Sequence, residues 1–223
     1  QQARARLGVS DRFLYIAADI YKLPFASGVF DAATMIRTLH HMANARLALQ
    51  NINDSLSKEA VFILEYANKR NIKSILRYIF HRQSWDPFSP EPVEFAPLNF
   101  DFHPATISSW LQECGFVIDQ QLAVSYFRLG WLKRHIPLNI LVKLDSILQP
   151  TGNTWQYSPS LFIRSHVISD KSKSPCPTDT IFRCPVCQHT PLPDTPPLLT
   201  CPQCNNTFPV IDGIYDFRPV KEM

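Results

Sequence analysis

The sequence predicts an α/β fold, in which a doubly wound parallel sheet is followed by a small metal-binding module. Short apolar runs that suit buried strands alternate with segments in which apolar residues recur at helical spacing, and this alternation is typical of βαβ units. Four of the six cysteines form two Cys-x-x-Cys pairs near the C-terminal end, which indicates the metal module. The 223 residues suffice for one medium domain and one small appendage.

Helices and strands alternate through the first third of the chain. A short helix is predicted over residues 1–7, because Gly8 can adopt the left-handed conformation that often follows a helix. A second helix is predicted over 44–57, where Ala48 and Ile52 lie on one face. Apolar runs bounded by polar residues predict three buried strands, over 13–18, 30–38 and 60–66.

Residues 84–104 differ in composition from the rest of the chain, because five prolines alternate there with five aromatic residues. Proline fixes φ and lacks an amide donor, so we expect no regular structure here but an ordered segment that covers the domain. Helices then follow over 105–114 and 131–148. Two late strands are predicted over 116–125 and 161–167.

The composition divides the chain into three parts. Residues 169–180 are rich in lysine, serine and proline, which is typical of a linker. We therefore predict one domain over 1–168 and a small module over 181–219.

Cys184, Cys187, Cys201 and Cys204 predict a structural zinc site. Each Cys-x-x-Cys pair presents two thiolates from one tight turn, and two such turns complete a tetrahedron of sulfur around zinc. A redox role would instead require one pair at a helix start in a thioredoxin-like βαβ unit. Because the module is too small to fold on its core alone, metal binding is expected to supply most of its stability.

Charge and apolarity constrain the partners only coarsely. A net charge of +3 neither requires nor excludes nucleic acid, since dedicated nucleic-acid binders usually carry a concentrated basic stripe. The sequence has no uncharged apolar run long enough to span a bilayer and no apolar leader. We therefore expect a cytoplasmic protein whose cysteines bind metal rather than form disulfides.

Three short motifs follow one another in the first third of the chain. They are Asp19-Ile20-Tyr21-Lys22-Leu23-Pro24-Phe25, then Phe30-Asp31, then Leu39-His40-His41. This order resembles the class I S-adenosylmethionine-dependent methyltransferases downstream of their glycine-rich loop. The resemblance implies a Rossmann-like sheet, with Asp19 and Ile20 at the cofactor's adenine and Ile36 and Arg37 at its methionine end. As an alternative, Asp19 could simply cap a turn.

The resemblance places variable covering elements where the proline-rich segment lies. Phe95, Phe100, Asp101 and His103 are therefore candidate substrate contacts, although the aromatic residues could instead only cover the sheet. Methyl transfer to a good nucleophile depends mainly on proximity and desolvation, so a general base is not required. His41 and His103 are the candidates if one exists.

The sequence contains no Gly-x-Gly, so the resemblance implies an incomplete, N-terminally truncated methyltransferase sheet. We expect an unpaired edge at the strand over 30–38, a rearranged or poorly stable chain, and no useful S-adenosylmethionine binding by this chain alone. The implied function is methyl transfer to a small or apolar acceptor, with this chain an inactive fragment of the enzyme.

Residues 208–218 resemble the tail of the small zinc-ribbon activators of tRNA and translation-factor methyltransferases, with Tyr215 where that family usually has proline. This implies that the ribbon could contact a protein partner. The alternative hypothesis is a non-enzymatic protein- or RNA-interaction module, in which the ribbon is attached to a degenerate α/β domain.

Overall fold

The computed structural model describes residues 2–168 and 180–218. The chain forms two compact units. We call Phe30–Lys171 the sheet unit, and Gln1–Val29 together with Ser172–Met223 the ribbon unit. The predicted linker over 169–180 falls, except for Thr180, outside the described residues.

The α-helices, in chain order, are α1 (Gln2–Leu7), α2 (Ala45–Ser55), α3 (Ile72–Ile79), α4 (Pro104–Glu113), α5 (Gly130–His135) and α6 (Leu138–Leu148). The strands are β1 (Tyr15–Ala17), β2 (Phe30–Met35), β3 (Leu56–Ala67), β4 (Val93–Ala96), β5 (Asn99–Asp101), β6 (Phe116–Val124), β7 (Ser160–Val167), β8 (Leu198–Thr200), β9 (Thr207–Ile211) and β10 (Ile214–Asp216). Short 3-10 turns lie at Ile20–Lys22, Leu39–His41 and Gln149–Asn153. Among the described helices, none combines the length and apolarity needed to cross a membrane.

The sheet unit is built on a four-stranded sheet in the order β2-β3-β7-β6. Strands β2 and β3 are parallel and are joined through α2, which confirms the predicted strand, helix and strand order. Strand β7 is antiparallel to both of its neighbours, β3 and β6. Because β2 and β3 are parallel, their carboxyl ends lie at the same border of the sheet.

Alternation along β3 places its core residues on one face. Phe62, Leu64 and Tyr66 are fully buried, as expected for every second residue of a strand that packs against helices. Phe62 meets Phe116 of β6 with ring centroids 5.0 Å apart. Helices α2 and α4 contribute further fully buried residues, namely Ala48, Leu49, Ile107 and Leu111.

The ribbon unit contains a second sheet in the order β1-β10-β9-β8. Strand β1 pairs in parallel with β10, and Phe217 N donates to Ala17 O at 2.8 Å. The core of this unit contains two of the cysteines among its apolar residues: Phe182, Cys184, Leu192, Leu199, Cys201, Phe208 and Phe217.

Strand β1 differs from its predicted environment. The strand over 13–18 was expected to be buried in the main parallel sheet, whereas Tyr15–Ala17 is half-buried and belongs to the ribbon unit. The physical reason is that β10 offers β1 a complete row of backbone partners. The domain bounds 1–168 and 181–219 stay a prediction, but the compact units divide the chain at other positions.

Two further expectations need correction. The proline-rich segment contains the hairpin β4–β5, because Pro92 and Pro97 lie just outside the strands, where no ladder amide is needed. The single helix predicted over 131–148 is broken into α5 and α6 at Ile136 and Pro137, since proline cannot continue the hydrogen-bond pattern of a helix.

Candidate active-site cleft and metal centre

A polar cleft of about 330 Å³ lies at the carboxyl ends of β2 and β3 in the sheet unit. The segment that follows β2, the end of β3, the β4–β5 hairpin and the segments around β7 contribute to it. Its lining residues are Arg37, His40, Glu65, Ala67, Asn68, Asn71, Phe95, Asn99, Asp101, Arg128, Pro159 and Ser160. The carboxyl edge of parallel strands is where open α/β sheets bind their ligands.

Glu65 organises one wall of the cleft. Its side chain is 7% exposed, and Oε2 accepts a hydrogen bond from the Arg37 backbone N–H at 2.8 Å. Its Oε1 accepts from the hydroxyl of Ser160, which is also buried. Arg37 follows β2 with φ +55°, a conformation uncommon for a residue with a side chain. Glu65 therefore fixes the strained turn that ends β2.

Asp101 is the second carboxylate in the cleft. Burial raises the pKa of Asp101 to about 6. This carboxyl group is therefore mostly ionised at pH 7 but takes up a proton more readily than an exposed aspartate. A group with this property, positioned in a cleft, can accept a proton from a bound ligand.

His40, rather than His41, faces the cleft. Burial, and next the neighbouring His41, lower the pKa of His40, so its imidazole is neutral at pH 7. The two rings lie 4.0 Å apart. His41 is exposed, and its Nδ1 lies 3.1 Å from the carbonyl oxygen of Leu98.

The four predicted substrate residues have different surroundings. Phe95 and Asp101 line the cleft, whereas Phe100 and His103 are not among its lining residues. His103 is buried at the start of α4, where Nδ1 accepts a hydrogen bond from Ala105 N at 3.2 Å. Phe100 stacks on Phe102, with ring centroids 6.4 Å apart. Their roles in substrate contact stay predictions.

The predicted cofactor residues belong to two different compact units. Ile36 and Arg37 lie in the sheet unit, and Asp19 and Ile20 in the ribbon unit. Asp19 Oδ1 accepts from Tyr21 N at 2.9 Å and caps the turn at Ile20–Lys22, which is the alternative role considered for it. The adenine role of Asp19 and Ile20 is not tested by this geometry.

Sequence reasoning missed several cleft residues: Glu65, Asn68, Asn71, Arg128 and Ser160. One signal was available, because Glu65 is an ionisable residue within an otherwise apolar predicted strand, and such a residue is rarely buried without a partner. Arg128 is far from Arg37 in sequence, so no local pattern could have joined the two.

The four ribbon cysteines form one cluster. Their sulfur atoms all lie within 4.8 Å of one another, with Cys184 Sγ and Cys187 Sγ each 3.6 Å from a sulfur of the other pair. Zinc bound by four thiolates at about 2.3 Å would separate the sulfur atoms by about 3.8 Å. The arrangement therefore fits a tetrahedral zinc site with no open position.

Both cysteine pairs use the same backbone turn. Gln188 N donates to Cys184 O, and Asn205 N donates to Cys201 O, both at 2.9 Å. Gln188 and Asn205 have φ values of +64° and +58°. The side-chain and backbone N–H groups of Asn206 lower the pKa of Cys204 to about 6, which favours the thiolate form that metals require.

Comparison with known protein families gives one match, in the first part of the chain. The family model described as a methyltransferase domain matches residues 1–64. No curated protein matches the chain in sequence.

Several solved methyltransferase structures are similar to this chain. A Thermotoga maritima S-adenosylmethionine-dependent methyltransferase, described as a possible histamine N-methyltransferase, is 16% identical with a TM-score of 0.43; the match covers 67% of this chain and 62% of that one. A Mesorhizobium loti methyltransferase is 17% identical with a TM-score of 0.47, and the match covers 74% of this chain and 75% of that one. The complex of the Haloferax volcanii Trm112 activator with a methyltransferase is 13% identical with a TM-score of 0.48, and the match covers 75% of this chain and 67% of that one.

Proposed function

We propose that the protein transfers a methyl group from S-adenosylmethionine to an acceptor with an apolar body. The observation that carries the proposal is the methyltransferase-domain match over residues 1–64. The matched segment includes β2, α2 and most of β3, and the polar cleft lies at the carboxyl ends of these two strands.

The residues of the cleft fit the methionine end of the cofactor. S-adenosylmethionine supplies an electrophilic methyl group on a sulfonium cation. In our proposal Arg37 pairs with the carboxylate of the methionine end, since a guanidinium is suited to that contact. Glu65 holds the Arg37 backbone in place, and its negative charge also favours a bound cation.

Asp101 has a distinct task in this proposal. Transfer forms a bond between the acceptor nucleophile and the methyl carbon, breaks the bond between that carbon and sulfur, and releases a proton if the nucleophile is a hydroxyl group. Asp101 lines the cleft and is mostly ionised at pH 7, so it can take that proton. Positioned proton acceptors typically contribute about 100-fold or more to rate.

A labelled methyl donor tests the function. The wild-type protein and its variants, produced in the source organism, are incubated with methyl-tritiated S-adenosylmethionine and a small-molecule extract, and label is counted in the organic phase. We expect transfer by the wild type and a loss of about 100-fold in rate for Asp101→Asn. Asp119→Asn is the matched control, because Asp119 of β6 pairs with His166 of β7 and neither residue lines the cleft. An absence of label transfer and of cofactor binding would leave the alternative of a non-enzymatic interaction module.

The affinity of the 223-residue chain for S-adenosylmethionine is a separate question. The chain contains no Gly-x-Gly, the motif with which dinucleotide-type sites bring backbone N–H groups to a ligand. We therefore propose that this chain alone binds S-adenosylmethionine more weakly than micromolar. Titration calorimetry measures this directly, and micromolar affinity would overturn the proposal.

We assign the cysteine cluster of the ribbon unit to structural zinc. Two of its ligands, Cys184 and Cys201, are fully buried in the core of that unit. A bound ion would neutralise these buried thiolates and fix both turns, so the metal is expected to stabilise the ribbon rather than to take part in methyl transfer.

A further inference from the structure

A second and larger cavity, of about 780 Å³, lies in the sheet unit. We call it the α3 cavity, because Ile72, Leu76 and Phe80 line it at the four-residue spacing that places side chains on one helix face. These side chains are 51%, 48% and 66% exposed, so the apolar face of α3 lacks a full covering within the described chain. The volume is in the range of small-molecule sites.

The opposite wall of the α3 cavity is also apolar. It is formed by Leu129 and Leu132, by Leu148 of α6, and by the rings of Phe127 and Tyr157. Two apolar walls that face a common space of this size suit a flexible apolar chain. A small polar metabolite would leave most of this surface against water.

The charges at the cavity have one sign. Lys73, Arg77, Arg82 and Arg128 line it, and the described lining residues include no carboxylate. Within residues 2–168 and 180–218, none of the four forms a salt bridge. Four such cations beside an apolar surface complement an amphiphile with an anionic head.

The α3 cavity adjoins the polar cleft. Asn71, Arg128 and Pro159 line both spaces. A molecule whose apolar body fills the cavity can therefore place its polar end beside Arg128, at the border of the cleft that contains Asp101.

We propose that the α3 cavity binds a single-chain amphiphile with an anionic phosphate or carboxylate head, and that a hydroxyl group of this molecule is the methyl acceptor. The binding part stands on the cavity alone, whereas the acceptor part rests on the proposed methyl transfer. The apolar chain lies against Ile72, Leu76 and Phe80. Arg77 and Arg128 hold the anionic head.

Binding is tested without S-adenosylmethionine, by titration calorimetry with decyl phosphate below its critical micelle concentration. Octyl phosphate, which has two methylenes fewer, should bind about sixteenfold more weakly, since each methylene contributes about fourfold. Decyltrimethylammonium, which has the same chain and the opposite charge, should bind far more weakly than decyl phosphate.

Variants separate the apolar wall from the cationic rim. Phe80→Ser should weaken decyl phosphate binding about tenfold or more, whereas Phe88→Ser should not, because Phe88 is also exposed but lies outside the cavity. Arg77→Gln with Arg128→Gln should weaken it tenfold to hundredfold. Arg164→Gln is the matched charge control, since Arg164 is exposed and lines neither space. The substituted side chains are exposed, so circular dichroism should show unchanged folding.

Three results would overturn the proposal. They are equal affinity for the two phosphates, equal affinity of the cavity and control variants, or binding only to phosphatidylglycerol vesicles and not to monomeric amphiphile. The last result would indicate a membrane surface instead. Decyl phosphate binding without any methyl transfer would refute the proposed function but leave the cavity assignment intact. Methyl transfer without decyl phosphate binding would refute only the cavity assignment.

Discussion

Glu65→Ala tests whether the cleft is organised as described. The substitution removes the acceptor of two hydrogen bonds, one from the Arg37 backbone N–H and one from the buried Ser160 hydroxyl. A buried donor that loses its partner costs about 1–3 kcal/mol. The Arg37 amide is only partly buried, so we expect a total loss of about 2–5 kcal/mol in the free energy of unfolding.

Glu65→Gln provides an intermediate case. An amide has one acceptor oxygen instead of two, so Arg37 N and Ser160 Oγ can no longer both be satisfied. We expect about half the loss found for Glu65→Ala. Glu113→Ala is the control, because Glu113 pairs with Arg46 on the surface, with side chains 43% and 59% exposed, and such pairs contribute about 0–1 kcal/mol.

Urea unfolding, followed by circular dichroism, measures all three variants. The predicted order of unfolding free energies is wild type, Glu113→Ala, Glu65→Gln and Glu65→Ala, from highest to lowest. A Glu65→Ala variant no less stable than Glu113→Ala would refute the role given to Glu65. A loss for Glu65→Gln equal to that for Glu65→Ala would show that the charge matters more than the two hydrogen bonds.

Three further predictions concern the metal, a close packing contact and pH. Chelation should release about one zinc ion per chain and unfold the ribbon unit. Cys201→Ser should have the same effect, whereas Cys114→Ser should not, because Cys114 lies outside the cluster. Zinc release without loss of ribbon structure would contradict this prediction. Gly152→Ala should destabilise the sheet unit by about 1–3 kcal/mol or more, because the added Cβ would lie 2.6 Å from Gln121 O and Ala123 N. Gly130→Ala is the control, since a Cβ at Gly130 would have no atom within 4 Å. Equal stability of the two variants would refute the close contact at Gly152. The pKa of Asp101 is raised from 3.8 to about 6 in the folded state, so the folded state binds a proton more tightly than the unfolded state. The stability of the wild type relative to Asp101→Asn should therefore fall as pH rises from about 4 to 6. Parallel pH profiles of the two proteins in urea unfolding would contradict the shift.

The strands of the sheet unit were largely predictable, because their apolar runs reflect burial. The runs over 30–38, 60–66, 116–125 and 161–167 all contain strands of the main sheet. Strand β3 begins earlier, at Leu56, since pairing with Phe30 extends it beyond the apolar run. Helix α3 was missed although Asn71 caps it by accepting from Ser74 N.

Long-range pairing was not predictable from local patterns. Strand β1 pairs with β10, almost 200 residues later in the chain, and neither segment carries a signal of the other. The cysteine cluster was predictable for the opposite reason. Each pair of ligands comes from one tight turn, so spacing alone brings two sulfur atoms together.

The residues of the cleft were predictable only in part. Asp101 and Arg37 were named from the sequence, while Glu65 and Arg128 were found only in the structure. Glu65 acts through hydrogen bonds to Arg37 and Ser160, and a partnership between residues so far apart in sequence leaves no periodic pattern.

The central claim is that the cleft and the α3 cavity together support methyl transfer to an anionic amphiphile. In its most direct test, the wild-type protein and its variants are produced in the source organism and incubated with trideuteromethyl-labelled S-adenosylmethionine and a lipid extract. The products are then analysed by mass spectrometry. We predict a trideuteromethylated anionic product that is abundant with the wild type, scarce with Asp101→Asn, and reduced with Arg77→Gln and Arg128→Gln combined. A labelled product that forms equally with all of these variants, or no labelled product at all, would contradict the claim.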